Sequence, residues 1–195
     1  MTRIMIIVGS TRPGRVGLSV AEWVRDRMHE TLEQDATAEA PAASLDFVDL
    51  AELNLPLLDE PHHPAKKQYT KPHTVAWSER VSAADAVVLV SPEYNHSYAP
   101  SLKNAIDFLF TEWAHKPVGI VSYGGGSSGT RGAAALAPVL GSVGMVKVAA
   151  NPEIGMIGSK MVDGVFQGDE KLAGTVAAMT RMLVQTAEAL RPLRG

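Results

Sequence analysis

Five short, mostly Val- and Ile-rich apolar runs return along this chain: Ile4–Val8, Leu45–Leu50, Ala86–Val90, Val118–Ser122 and Met145–Ala149. Between them, apolar residues recur at helical spacing. Val20, Trp23, Val24, Met28 and Leu32 share one face after the first run. Leu102, Ala105, Ile106, Leu109, Phe110 and Trp113 follow the third run at i, i+3, i+4, i+7, i+8 and i+11. Leu172, Val176, Met179, Leu183 and Leu190 form a stripe near the C-terminus. Strands without polar alternation are buried on both faces, and amphipathic helices between them supply the cover. The chain is therefore expected to be α/β, a three-layer doubly wound sheet of five parallel strands.

Two orders suit five strands and five helices, the flavodoxin-like one and half of a Rossmann fold. In both, ligands bind beyond the carboxyl ends of the strands, near the point where strand order reverses. With 195 residues and no linker or repeat, one domain over residues 1–195 is expected. The charge of −3 is spread without a basic cluster, which argues against nucleic acid as a partner. No apolar run approaches the length of a membrane span. Met1-Thr2-Arg3 leads directly into the first strand, leaving no room for a signal peptide, so the expected location is cytoplasmic. The absence of cysteine removes disulfides, thiol nucleophiles and cysteine-held iron–sulfur clusters. Any redox chemistry then needs an organic cofactor.

The first loop, Gly9-Ser10-Thr11-Arg12-Pro13-Gly14-Arg15-Val16-Gly17-Leu18-Ser19, joins a strand to a helix. Unpaired N–H groups at a helix start attract anions. Ser10, Thr11 and Ser19 add hydroxyls, Arg12 and Arg15 add charge-assisted donors, and Gly17 admits close approach. At roughly 1.5–3 kcal/mol per hydrogen bond to a charged group, three such bonds supply about 5–9 kcal/mol. A tight site therefore also needs a buried ring. Gly9 and Gly14 have the spacing of a nucleotide-triphosphate loop, but Arg15-Val16 stand where its Lys and Ser/Thr belong.

The second loop, Ser91-Pro92-Glu93-Tyr94-Asn95, leaves the third strand and leads to Pro100, suited to a helix's first turn. A proline-stiffened loop can align backbone N–H groups along the electron-rich edge of a flavin, with Tyr94 against the ring. Taken alone, the same stretch also fits a turn with a packed tyrosine. Read together, the two loops point to flavin mononucleotide (FMN).

The strand-GSTRPGRVG start, the Pro-Glu-Tyr-Asn stretch before SLKNAIDFL, and SYGGGSSG resemble the NAD(P)H-dependent FMN reductase family over most of residues 3–190. Leu55-Pro56 with Asp59-Glu60 is similar to that family's loop after the second strand. The resemblance implies a flavodoxin-like fold of order 2-1-3-4-5. It places Ser10, Arg12, Gly17 and Ser19 at the FMN phosphate, and Pro92, Glu93, Tyr94 and Asn95 along the isoalloxazine. It also implies NADPH or NADH as co-substrate and a homodimer or homotetramer. Residues 151–168 match no pattern of that family.

The third loop, Ser122-Tyr123-Gly124-Gly125-Gly126-Ser127-Ser128-Gly129, spells G-x-G-x-x-G. The acidic ribose ligand about 20 residues further on is missing, since Val148-Ala149-Ala150 stand there. The resemblance instead implies that Ser122, Gly124 and Gly125 lie beside the flavin's pyrimidine end, where glycine lets the backbone come close. Arg131 is a weaker candidate for the phosphates of NAD(P)H. His62-His63 lack the further ligands of a metal site, so no metal is expected. His96 is placed for a substrate contact. No G-x-S-x-G elbow is present.

The expected function is hydride transfer from NAD(P)H through FMN to a small acceptor (a quinone, azo compound, metal oxyanion or free flavin) in a ping-pong cycle. No side chain is expected to be catalytic, because the flavin carries the chemistry. A flavodoxin-type electron carrier is the alternative, and a binding module without FMN a third. Two long Gly- and Pro-rich loops, 54–72 and 151–168, are expected to be lids, partner contacts or poorly ordered segments, and the sequence does not choose among these.

Overall fold

The central strands of the sheet send alternate side chains into one of two separate cores, because side chains along a strand alternate faces. The computed structural model describes residues 1–37 and 43–194. Its parallel sheet comprises β1 (Arg3–Val8), β2 (Ser44–Asp49), β3 (Ala86–Pro92), β4 (Pro117–Tyr123) and β5 (Val146–Lys147), in the order β2-β1-β3-β4-β5. This is the flavodoxin-like order.

Ile4, Ile6 and Val8 of β1 meet α1 (Gly17–Asp35) and α6 (Glu170–Leu190) on one face, packing with Val20, Met28, Met179 and Leu183. Met5 and Ile7 meet α3 (Pro72–Ser82), α4 (Pro100–Asp107) and α5 (Thr130–Ser142) on the other, through Trp77, Leu102 and Leu136. A short α2 (Leu50–Leu53) follows β2, capped by the Asp49 carboxylate on Ala51 N–H at 2.9 Å.

Two expectations change. The fifth apolar run supplies only two strand residues. The chain then bulges away and returns as β6 (Glu153–Ile154), which also pairs with β4. Asn151 bridges the gap by accepting from Ile120 N–H at 2.8 Å, and Pro152 O accepts from Ser122 N–H at 3.0 Å. The apolar pattern is real, but its hydrogen bonds come partly from an amide side chain.

The helical stripe predicted to reach Trp113 stops at Asp107, and Thr111–Trp113 form a separate 3₁₀ turn. Trp113 is fully buried, and its indole donates to Ile106 O at 3.0 Å. The Glu112 carboxylate takes Phe110 N–H at 3.2 Å, in competition with an unbroken helix.

The 151–168 segment is ordered by local structure of its own. After β6 comes a 3₁₀ turn (Ile157–Lys160) and a hairpin of β7 (Met161–Val162) and β8 (Val165–Phe166). Asp163 and Gly164 at its tip have φ of 50° and 80°, as a two-residue hairpin turn requires. Phe166 is buried edge-on against Trp23, with ring centroids 5.4 Å apart. In the 54–72 loop, Pro64–Lys66 form a further 3₁₀ turn, capped by His63 accepting from Ala65 N–H at 3.2 Å. Among the described residues no helix is long and apolar enough to cross a membrane.

Candidate flavin site

The first two loops leave neighbouring strands at the same sheet edge, since Val8 pairs with Val90. Gly9 N–H donates to Val90 O at 2.9 Å, and the Ser101 hydroxyl to Gly9 O at 2.5 Å, so the start of each loop is tied to the other.

Helix α1 begins at Gly17 behind Val16, which offers no capping side chain, and its first turn holds no acidic residue. Its leading N–H groups therefore keep their attraction for an anion. Ser10 is fully buried, and its Oγ has no hydrogen-bond partner. A Cβ at Gly17 would overlap both Ser10 Oγ and the Tyr123 hydroxyl, so only glycine fits there. Tyr123 is 4% exposed, and burial pushes its phenol up to about 12, against the neighbouring Ser10 hydroxyl and then the pull of Arg15 and Arg12. The hydroxyl thus stays protonated at neutral pH, as a donor. Nothing in the sequence singled out Tyr123. The pairing of Pro92 with Tyr123 across β3 and β4 brings it to this edge.

The two arginines of the first loop differ. Arg15 is engaged: Nη1 donates to Ser10 O at 2.7 Å, and Nη2 pairs with the buried Asp49 carboxylate. It braces the loop against the end of β2. Arg12 and Thr11 are exposed, and Arg12 enters no ion pair among the described residues. Ser19 Oγ accepts from Phe166 N–H at 2.8 Å, which docks the 151–168 segment on the first turn of α1.

The second loop is a miniature hairpin. Tyr94 and Ser97 exchange N–H···O bonds of 2.8 and 2.9 Å, and Asn95 and His96 form the tip with φ of 48° and 68°. Glu93 N–H donates to Tyr123 O at 3.0 Å. The row of N–H donors expected over Pro92 to Asn95 is thereby narrowed. Of the Glu93 to Ser97 N–H groups, those of Asn95 and His96 have no internal acceptor among the described residues. Positive φ at both tip residues is what a two-residue hairpin turn requires, and Asn and His are among the non-glycine residues that adopt it most readily. Pro92 is buried, and Tyr94 packs partly on the core.

Glu93 joins the second loop to the third. Its carboxylate accepts from Arg131 Nε at 2.7 Å, Ser127 Oγ at 2.8 Å and Arg131 N–H at 3.2 Å. Burial opposes its charge, but Arg131 and Ser127 hold it below the usual carboxylate range. The Ser122 hydroxyl donates to Ser128 O at 2.9 Å, and Gly124 N–H to Ile154 O at 3.0 Å. Gly125 is exposed, and its carbonyl accepts from Met156 N–H at 3.0 Å.

The 54–72 loop is strapped to α4 beside the second loop. Asn104 Nδ2 donates to Pro56 O at 2.7 Å, and its Oδ1 accepts from Leu58 N–H at 3.0 Å. Glu60 closes the loop by accepting from Thr70 N–H at 2.8 Å and Lys71 N–H at 3.0 Å. Burial alone would raise its pKa, but these bonds and the Thr70 hydroxyl lower it to about 2. A lowered folded-state value stabilises above the unfolded pKa, and that contribution fades as pH falls through the folded one. The Thr70 and Lys71 amides should accordingly keep their hydrogen-exchange protection down to about pH 4.5. They should lose it towards pH 2. Glu60→Gln should remove that pH dependence, and unchanged protection in the variant would rule out this clasp.

The family model for NADPH-dependent FMN reductases matches residues 2–155. The chain belongs to the NADPH-dependent FMN reductase family. An NAD(P)H-dependent FMN reductase of Nectria sp is 40% identical over 153 residues, 76% of this chain and 72% of the relative. An NADPH:quinone oxidoreductase of Arabidopsis thaliana is 35% identical over 102 residues, half of each chain. The structure of FerB, a flavoenzyme NAD(P)H:(acceptor) oxidoreductase from Paracoccus denitrificans, superimposes with a TM-score of 0.70 at 22% identity. That superposition covers 95% of this chain and 99% of the other. FMN is accordingly the cofactor of this reductase, and a nicotinamide nucleotide its reductant. The site fits FMN on its own chemistry: an uncapped helix start, a buried hydroxyl without a hydrogen-bond partner and a glycine that a Cβ would crowd lie beside a loop whose Asn95 and His96 N–H groups have no internal acceptor among the described residues.

Proposed function

We propose that the protein takes hydride from NAD(P)H onto FMN and delivers it to a small acceptor, a quinone above all, in a ping-pong cycle. What carries this reading is the meeting of the anion-ready start of α1 with the Asn95-His96 hairpin tip at one sheet edge. Ser10, Thr11, Arg12, Gly17 and the first N–H groups of α1 hold the phosphate. Arg15 positions that loop through Asp49, and Ser19 holds the 151–168 segment against it. Pro92, Tyr94 and Asn95 line the ring, while Ser122, Gly124 and Gly125 border its pyrimidine end. Glu93 keeps these two groups in register through Arg131 and Ser127. FMN supplies the two-electron chemistry when bound. The exposed His96 stands where an acceptor enters, and the two substrates use that face in turn.

A cytoplasmic protein acting as a homodimer or homotetramer accords with this reading. Leu57, 85% exposed, and Leu58, 41% exposed, on the strapped loop are apolar surface that a second copy would cover. Double-reciprocal plots of NADPH oxidation against a benzoquinone should be parallel, the signature of ping-pong kinetics. Intersecting lines would exclude it, and protein that cannot be loaded with FMN would sink the whole reading. Arg12→Ala should weaken FMN binding by about ten- to a hundredfold, since one charge-assisted contact is worth roughly 1.5–3 kcal/mol. Unchanged affinity in a fluorescence titration would remove Arg12 from the site.

A further inference from the structure

The opposite pole of the sheet carries a second site. An open cavity of about 590 Å³ lies where β3 and β4 begin, roughly 20 Å from the flavin edge by the length of a strand. Lys67, Lys116, Arg191 and Arg194 line it together with His115 and two acidic residues, Asp85 and Glu112.

Both carboxylates are already engaged. Asp85 accepts from Arg194 Nη2 at 3.0 Å and from Arg3 N–H at 2.9 Å. Glu112 accepts from the Tyr69 hydroxyl at 2.8 Å, the Ser78 hydroxyl at 2.7 Å and Phe110 N–H at 3.2 Å. Among the described residues, Lys67, Lys116 and Arg191 enter no ion pair.

Lys116 is 4% exposed, and its ammonium donates only to neutral carbonyls, Ser82 O at 3.3 Å and Ala84 O. Burial, with Arg194 nearby, pushes it down to about 8, against Asp85 and Glu112. A buried cation beside other cations, with no carboxylate of its own, is under-compensated. Nothing in the reductase chemistry at the other edge uses it.

We propose that this cavity binds a small multivalent oxyanion, a phosphate ester or a polycarboxylate. Lys116 forms its buried wall, and the exposed Lys67 and Arg191 form its mouth. The short apolar surface of Ala84, Ala114 and Leu193 accommodates the carbon body of such a ligand.

Calorimetry on FMN-saturated protein tests this with inorganic pyrophosphate and with citrate, at constant ionic strength. Saturation with FMN keeps the phosphate loop filled, so heat from that loop does not enter. Saturable binding of at least one probe is expected, weakened at least tenfold by Lys67→Gln together with Arg191→Gln, two surface changes that leave the core intact. Binding of pyrophosphate alone would assign phosphate esters, and of citrate alone, carboxylates. No saturable binding of either probe overturns the proposal. So does binding that the double variant retains, whatever the state of the flavin site.

Discussion

Gly17→Ala should abolish FMN retention, raising the dissociation constant at least a hundredfold. The added Cβ would lie inside contact distance of both the Tyr123 hydroxyl and Ser10 Oγ, and both residues are buried. Overpacking of this kind typically costs about 1–3 kcal/mol in a core. Here the displacement also moves the first turn of α1, where the N–H groups that face the phosphate begin. Adding Tyr123→Phe removes one of the two overlapping atoms and should recover part of the affinity, while Ser10 remains in the way. Flavin fluorescence titration measures both variants. A Gly17→Ala protein that binds FMN within threefold of the unaltered chain would show that the phosphate does not depend on this close approach.

The largest stability effect is expected at Trp113. Its ring meets Trp77 at an interplanar angle of 64° with centroids 5.9 Å apart, and both residues are almost fully buried. The two indoles donate to consecutive carbonyls of α4, Trp77 to Ala105 O at 2.9 Å and Trp113 to Ile106 O at 3.0 Å. Trp113→Ala should destabilise by roughly 3–5 kcal/mol, the usual range for emptying a large aromatic site. At about 2–4 °C per kcal/mol for a chain of this size, Tm should fall by roughly 6–20 °C. Trp113→Phe keeps most of the packing and loses mainly the N–H bond, so it should cost about 1–2 kcal/mol. Urea unfolding followed by circular dichroism distinguishes the two. An alanine variant less than about 1 kcal/mol destabilised would mean the cavity collapses without penalty.

Trp113 also shows where sequence patterns mislead. Its spacing continues the apolar stripe of α4, yet α4 ends at Asp107. Periodicity records which side chains are buried, and a 3₁₀ turn can bury the same residue. The break comes from Glu112 competing for Phe110 N–H while Tyr69 and Ser78 hold the same carboxylate from other elements. Tyr69 and Ser78 lie 43 and 34 positions away in the chain. The fifth strand follows the same logic, because Asn151, reaching across from outside the apolar run, takes over a backbone bond of β4.

Sequence by itself determined the layered α/β architecture, the two loops at the carboxyl edge and the FMN chemistry they suit. Those features rest on local rules: unbroken apolar strands, helical stripes, and glycines and hydroxyls where a strand turns into a helix. Only the tertiary structure decided how the two arginines of the first loop divide their work. Arg15 and Arg12 look alike in sequence, and the difference is Asp49, brought 34 positions to meet Arg15 by the pairing of β1 with β2. Tertiary structure likewise revealed Tyr123 over Gly17, Glu93 turned towards Arg131, and Phe166 fastened to Ser19. Hydrogen bonds and ion pairs act over about 3 Å, so their partners are settled by which strands lie side by side. A local pattern cannot specify that neighbour.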